Sequence, residues 1–377
     1  KAAIVALCYL LYPPLHGSNL YDFHYIPLGP FFLWFCLYAL EARRNWLAVV
    51  FVALTLSVRE DVSVALVIVG GYLVLSGERP KAGLIVAAVG AAFFVLIKMI
   101  IMPRMIGEAS FVYIYKNLLP SGEGGFGGVL KTVIGNPVFT LHSLLERDKL
   151  MYFLQVATPL AFLSFRRPLD ALFCLPGFMF TLLSTGYTPV YQISFQYTAH
   201  WTMYVFLAVV LNLAAVARRR PDIGDPRVGA AKQTAWIVAM VTSTIIVSHQ
   251  YGALLQQNTV RGGFGPYNFG RTDEDRARYR SLRELLAKVP PRAKIVGTET
   301  LVPHFSNRPD AYTMRMGVFD AEYLIFHLPV GGDEGKKLGE ALRSGKYGVL
   351  EIKEPYALAK LGHSTAKNAE VQGRVSE

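Results

Sequence analysis

Apolar residues come in long runs, at about 2–13, 27–42, 47–76, 82–103, 150–165, 169–185, 199–217 and 234–252. Several approach the roughly 20 residues with which an α-helix crosses a bilayer core. The run 47–76 is the exception in kind. Its ends lie beside Arg44 and Arg79, and its centre holds Arg59, Glu60 and Asp61. Three consecutive ionisable residues are costly at the middle of a lipid-facing helix. The pattern therefore predicts two short helices that meet at Arg59–Asp61.

The polar gaps between runs differ in charge. Four are basic: Arg43–Arg44; Arg79 with Lys81; Arg166–Arg167; and Arg218–Arg220 with Arg227 and Lys232. The positive-inside rule assigns all four to the cytoplasm. The remaining order then closes, with 82–103, 169–185 and 234–252 running outward and 150–165 and 199–217 returning. Residues 16–26, the Arg59–Asp61 apex, loops 104–149 and 186–198, and everything beyond residue 255 are expected at the outer face.

Beyond 255 the pattern changes. A charged amphipathic helix is predicted over 273–288, ended by Pro290-Pro291. Short strands are predicted at 294–297, 322–327 and 347–352, with a helix at 333–344 between the last two. Helices alternating with strands indicate a small α/β sheet domain. Three regions are expected: a transmembrane helical domain over 1–255, an extracytoplasmic α/β domain over 256–362, and a disordered tail over 363–377.

Composition agrees. The chain is 53% apolar and 17% charged, where soluble domains carry about 25% charge. That excludes an ordinary soluble enzyme and the fibrous and disordered classes. Residues 260–377 hold 34 charged side chains in 118 positions, against 31 in the preceding 259. The net charge of +11 is scattered without a basic stripe, so no nucleic acid is expected. Cys8, Cys36 and Cys174 lie inside apolar runs and read as small buried hydrophobes. The chain opens at Lys1 directly into an apolar run, so a fragment cut within a membrane helix is expected.

Candidate chemistry collects on the expected outer side. His16, Asp22 and His24 offer acid–base groups. Their spacing fits no standard metal site, so no metal ligand is assigned and no cofactor is fixed, although a divalent ion is compatible with the carboxylates. An aromatic interfacial loop is the plainer reading of 16–26. Arg59, Glu60 and Asp61 fit either a cavity lined by charge or an internal ion pair, with Asp61 capping the next helix. Lys98 and Arg104 suit a lipid phosphate, or Lys98 snorkels to the headgroups. The glycine-rich stretch 121–128 has no following Lys-Ser/Thr and is no P-loop; a flexible loop is expected. In 186–198, Tyr187, Tyr191, Gln192, Gln196 and Tyr197, followed by His200, suit either a sugar-facing surface or interfacial anchoring. Pro303–Arg308, with His304, follows the first predicted strand, where ligands bind in parallel sheets. Arg59 needs an anion and Asp22 a cation, so these two motifs are expected to approach each other.

Three motifs carry a resemblance: Leu10–His24 (LLYPPLHGSNLYDFH), Val58–Asp61 (VRED) and Pro303–Arg308 (PHFSNR). Over nearly the whole chain the sequence resembles a bacterial and archaeal membrane family known as domain of unknown function 2079. The resemblance implies a glycosyltransferase C-like fold: an α-helical polytopic membrane protein with a small C-terminal α/β extracytoplasmic domain. It further implies an inner or plasma membrane enzyme that moves a sugar from a polyprenyl-phosphate donor at the outer face. Such enzymes carry an acidic catalytic residue in their first outer loop. That loop is expected ahead of Lys1, so the resemblance places no catalytic carboxylate in this chain. The residues themselves leave Asp22, His24, Glu60 and Asp61 as catalytic candidates. His16, Arg59, Lys98, Arg104, Tyr191, Gln192, Gln196 and His304 are the substrate-binding candidates. The bilayer and a polyprenyl-phosphate-linked sugar are the expected partners. A transporter or a non-catalytic envelope assembly protein is the alternative.

Overall fold

The computed structural model describes residues 1–20, 24–106, 112–119, 125–217, 226–255 and 270–375. It forms two compact units, Lys1–Tyr267 and Asn268–Glu377.

The first unit is helical. It opens with α1 (Ala2–Leu10), α2 (Pro13–Leu20), α3 (Leu28–Glu41), α4 (Asn45–Leu56), α5 (Ser63–Leu75) and α6 (Pro80–Phe94). A π-helical stretch, Val95–Ile101, carries α6 into α7 (Met102–Ile106). A 3₁₀ segment at Val112–Leu118 precedes α8 (Gly125–Gly135), α9 (Pro137–Leu144) and α10 (Arg147–Ala157). Two short pieces, α11 (Pro168–Ala171) and α12 (Leu175–Gly177), lead to the long α13 (Ala199–Ala217) and α14 (Pro226–Tyr251).

The run 47–76 breaks where its charges predict. α4 ends at Leu56, Glu60–Val62 is a 3₁₀ turn, and α5 starts at Ser63. Other expectations need correction. The run 2–13 is two helices, because Pro13 starts a new one. His16 to Leu20 lie in α2 and not in a loop. The run 150–165 is no span: α10 stops at Ala157, where Pro159 can donate no helical hydrogen bond, and Ala161 and Phe162 take left-handed φ values of 50° and 56°. The run 169–185 is broken into α, 3₁₀ and π pieces around Pro168 and Pro176. The expected outer loop 104–149 is largely helical. From Gly125 its glycine-rich part begins α8, and residues 121–124 lie outside the described set.

Among the described residues, three helices are long and apolar enough to cross a membrane: Pro80–Met105, Gln196–Ala217 and Arg227–Tyr251. Leu28–Glu41, Asn45–Leu56 and Pro168–Leu182 are apolar but shorter. The burial of these helices sets the architecture. The middle one is 72% buried, the flanking two 17% and 22%. α13 is thus the central post, and its side chains enter both main apolar cores of the unit. Trp201, Phe206 and Val209 pack with Tyr152 and Leu160; Met203, Tyr204 and Leu207 pack with Leu33, Ala65 and Leu66. Leu84 and Ile85 on α6 and Ile246 on α14 stand exposed, an apolar exterior that suits lipid.

Two glycines permit close approaches that place the site. A Cβ on Gly70 would lie 2.4 Å from Gly83 O, so α5 and α6 pack backbone to backbone. A Cβ on Gly17 would lie 1.8 Å from Ile193 O, so α2 lies directly against the 188–198 segment.

The second unit is a five-stranded sheet of order β2-β1-β3-β5-β4: β1 (Ile295–Gly297), β2 (Ala311–Thr313), β3 (Tyr323–His327), β4 (Tyr347–Lys353) and β5 (Tyr356–Leu361). β1 runs parallel to β2 and β3, and β5 antiparallel to β3 and β4. α15 (Asp273–Ala287) begins with a capping box between Thr272 and Asp275. α16 (Gly332–Arg343) packs Leu338 and Leu342 on the sheet. β2 and β5 are additional to the strands predicted. The tail expected to be disordered instead forms α17 (Asn368–Gln372). Asn368 holds it down, accepting from Val349 N at 2.9 Å and donating to Tyr347 O at 2.9 Å and Leu342 O at 3.2 Å.

Candidate functional site

The turn between α4 and α5 carries three charged side chains, and each finds a partner. The Arg59 guanidinium grips Asp61 with two donors, Nε to Oδ1 at 2.8 Å and Nη2 to Oδ2. His200, at the start of α13, brings Nε2 to 3.3 Å from Asp61 Oδ2. Lys98, in the π-helical stretch, places Nζ 3.2 Å from Glu60 Oε1. A π-helical insertion shifts the facing of the side chains that follow it, and such insertions concentrate at functional sites. The close α5–α6 packing brings Lys98 within reach.

These groups line a small pocket of about 40 Å³ with Phe94, Ile114, Tyr115, Phe180, Val190 and Tyr197. Hydrogen bonds fix its walls. Ile114 O accepts from Thr185 N at 2.7 Å and Gly186 N at 2.9 Å, and the Tyr115 hydroxyl donates to Met179 O at 3.1 Å. Phe180 packs on His200 with ring centres 4.8 Å apart. Asp61 lies in the turn, outside the helical spans. Burial works to raise its carboxyl pKa, but His200 and Arg59 outweigh burial and hold it well below the usual carboxylate range. Asp61 is therefore a fixed anion and a poor proton acceptor. With Nε2 of His200 turned to Asp61, Nδ1 is the ring nitrogen left for another partner.

The basic turns at 43–44, 79–81 and 166–167 lie at the other end of these helices. Arg79 donates to Leu40 O, at the C-terminal end of α3, and through Nη2 to Asn45 Oδ1 at 3.0 Å, which joins the Arg79–Lys81 and Arg43–Arg44 turns. Further along α13 from His200, roughly 18 Å at 1.5 Å per residue, Asn212 donates to Asp170 Oδ2 at 3.0 Å, and Asp170 pairs with Arg167 at 3.3 Å.

The structure sorts the sequence candidates. Arg59, Glu60, Asp61 and Lys98 come together in the pocket. Asp61 does not cap α5 through its side chain. Lys98 is buried against Glu60 and does not snorkel, while Arg104 is exposed on α7 and does not line the pocket. His16 serves the fold: it accepts from Ala253 N at 3.1 Å and its Nε2 meets Leu10 O at 2.6 Å, which occupies both ring nitrogens. Tyr191 is buried with Lys149 Nζ 5.6 Å from its ring centre. Gln192 and Gln196 do not line the pocket, whereas Val190 and Tyr197 of the same segment do. His24 is half-buried and off the pocket lining. Asp22, with the contact expected between it and Arg59, lies outside the described residues. His304 belongs to the second unit, exposed beside Tyr279. Its neighbour Arg308 is structural, donating to Val289 O at 3.1 Å and closing the end of α15. The sequence places His200 after the 186–198 segment but does not pair it with Asp61, which the structure does. Among the described residues, no three His, Cys, Asp or Glu side chains are grouped to hold a metal ion.

A larger groove runs between α1, α3, α13 and α14, but Lys1 and Gln233 are the charged or amide side chains that line it. It offers little chemistry. The Arg59–His200 pocket, where the charged side chains gather, is the candidate site.

The family described as "Predicted membrane protein (DUF2079)" matches residues 1–326 of the chain. The chain belongs to that family. No curated protein and no solved structure matches it.

Proposed function

We propose that this family member is a polytopic membrane enzyme of the glycosyltransferase C type, which moves a sugar from a polyprenyl-phosphate donor. In this reading the basic loops face the cytoplasm, the pocket opens at the outer face of the inner or plasma membrane, and the α/β unit is extracytoplasmic. The observation that carries it is the pocket itself: two cations, two carboxylates, a histidine and two tyrosines converge at the helix ends opposite the arginine loops.

Each group then has a task. The sugar's anomeric carbon is attacked by an acceptor hydroxyl as its bond to the phosphate oxygen breaks. Nδ1 of His200 takes the hydroxyl proton, worth 10²–10⁴-fold in rate as a rough guide. Asp61 orients the imidazole and stabilises the imidazolium that forms, as a carboxylate does for a catalytic histidine. Arg59 and Lys98 balance the charge gathering on the departing phosphate, which leaves as polyprenyl phosphate. Tyr115 and Tyr197 offer ring faces to the sugar. Asp61 is thus a positioning residue, and Glu60 holds Lys98.

A second reading, transport, draws on the π-helical Val95–Ile101 and the broken Pro168–Leu182 stretch, since discontinuous helices line transporter sites. Thermal protection in detergent separates the two. A polyprenyl-phosphate sugar should raise the melting temperature of the wild-type protein. Arg59→Lys, which keeps charge but loses the planar fork, should reduce that protection. Protection by free sugar or free phosphate, and none by the lipid-linked sugar, would favour transport and sink the enzyme reading.

A further inference from the structure

We propose that the α/β unit rests on a lipid surface through residues 314–320, with Met316 and Phe319 entering the headgroup region. This rests on membrane anchoring of the chain and is independent of sugar transfer.

The segment follows β2 and is built to present two apolar side chains. Turn hydrogen bonds run from Met316 N to Thr313 O and from Gly317 N to Met314 O, both at 3.1 Å. Val318 packs against the core of the unit. Its neighbours face outward, Met316 at 71% and Phe319 at 62% exposed. Phe319 also holds a left-handed φ of 52°, a region that a bulky side chain rarely occupies. Its ring is tilted against Tyr312 with centres 5.4 Å apart, and its far edge lies beside Gly317. Such an outlier points from observed geometry toward a role.

Lipid is the occupant that fits the size. Two side chains offer on the order of 300 Å², against about 800 Å² per partner in a stable protein interface. A small apolar tip is too little for a protein and sufficient for a headgroup layer. The tether makes weak binding enough. α14 ends at Tyr251 and α15 begins at Asp273, so the link reaches at most roughly 80 Å even fully extended. That keeps the tip at high effective concentration near the bilayer. Of the nearby charges, Arg315 pairs with Glu299 at 3.2 Å and Lys294 with Asp320, and the Lys337 ammonium is turned onto the Arg315 carbonyl. Attraction to anionic headgroups is therefore not the driving term, and neutral lipid suffices.

The test uses the full chain in phosphatidylcholine nanodiscs. An environment-sensitive fluorophore is placed at Met316→Cys and, as a reference, at Glu370→Cys on exposed α17. The native Cys8, Cys36 and Cys174 are buried. Doxyl-labelled lipid should quench the probe at 316 severalfold more than at 370. Adding Phe319→Ser should remove most of that difference while the melting curve holds, and phosphatidylglycerol should change neither value. Equal quenching at the two positions overturns the proposal. So does quenching at 316 that requires anionic lipid. A blue shift at 316 that grows with protein concentration and ignores doxyl lipid assigns the tip to a second copy and also overturns it.

Discussion

Arg59→Ala would leave the Asp61 carboxylate buried without its forked partner. Breaking one side of a buried ion pair costs about 3–5 kcal/mol, and the melting temperature in detergent should fall accordingly. Arg59→Lys should lose less. The pH dependence follows from the depressed carboxyl of Asp61. A group whose pKa is lower when folded stabilises the fold above its unfolded value, near 4 for an aspartate. That contribution disappears as the pH falls below it. Thermal stability should thus be flat from about pH 5 upward and decline in acid, and Asp61→Asn should flatten the acid limb. An acid limb identical in both proteins would remove Asp61 from the balance. At this scale the sequence was half legible. Three charges between apolar runs announce a turn, because lipid tolerates them nowhere else. His200 gives no such signal, since one histidine at the start of an apolar helix looks the same whether it packs or reacts. Likewise, nothing in the residue types says that Arg59 takes Asp61, two residues away, as its anion.

Among elements, the α5–α6 pair makes the sharpest prediction. Gly70→Val would drive a side chain into the Gly83 backbone, separate the helices and draw Lys98 from Glu60. Overpacking of this kind costs about 1–3 kcal/mol. Gly71 has nothing within 4 Å of where its Cβ would stand. Gly71→Ala should therefore stabilise by about 0.5–1 kcal/mol. Paired melting curves read both, and equal effects would refute the packing argument. Hydropathy located the helices better than it located their ends. It reads Pro159, Pro168 and Pro176 as mildly apolar and does not register that each lacks an N–H, so two broken segments resemble spans. In the α/β unit, β2 is three residues long and carries no alternation to detect. α17 is held by buried Val371 and by one buried asparagine, which no periodic pattern announces. Asn368→Ala, which orphans Val349 N, should cost about 1–3 kcal/mol and release the tail to proteolysis.

For the whole molecule, the chain's membrane character is plain from its apolar runs, and the boundary between the two compact units falls near its change in charge density. What the runs do not contain is the crossing of distant segments at one pocket. That depends on α13 standing at the centre, with the acidic turn, the π-helical lysine and the Ile114–Tyr115 segment gathered at its start. Orientation can be measured directly. Because α17 belongs to the fold, a reporter active only in the cytoplasm should be fused after Glu377. It should be silent, and activity would reverse the assignment of the faces.

The proposed transfer releases polyprenyl phosphate from its sugar by way of His200. Purified wild-type protein, supplied with a radiolabelled polyprenyl-phosphate sugar and a hydroxyl acceptor, should release polyprenyl phosphate. His200→Gln should still be protected from heat by the donor yet release it at least 10²-fold more slowly, the scale of a lost general base. Release at the wild-type rate in His200→Gln would contradict that role.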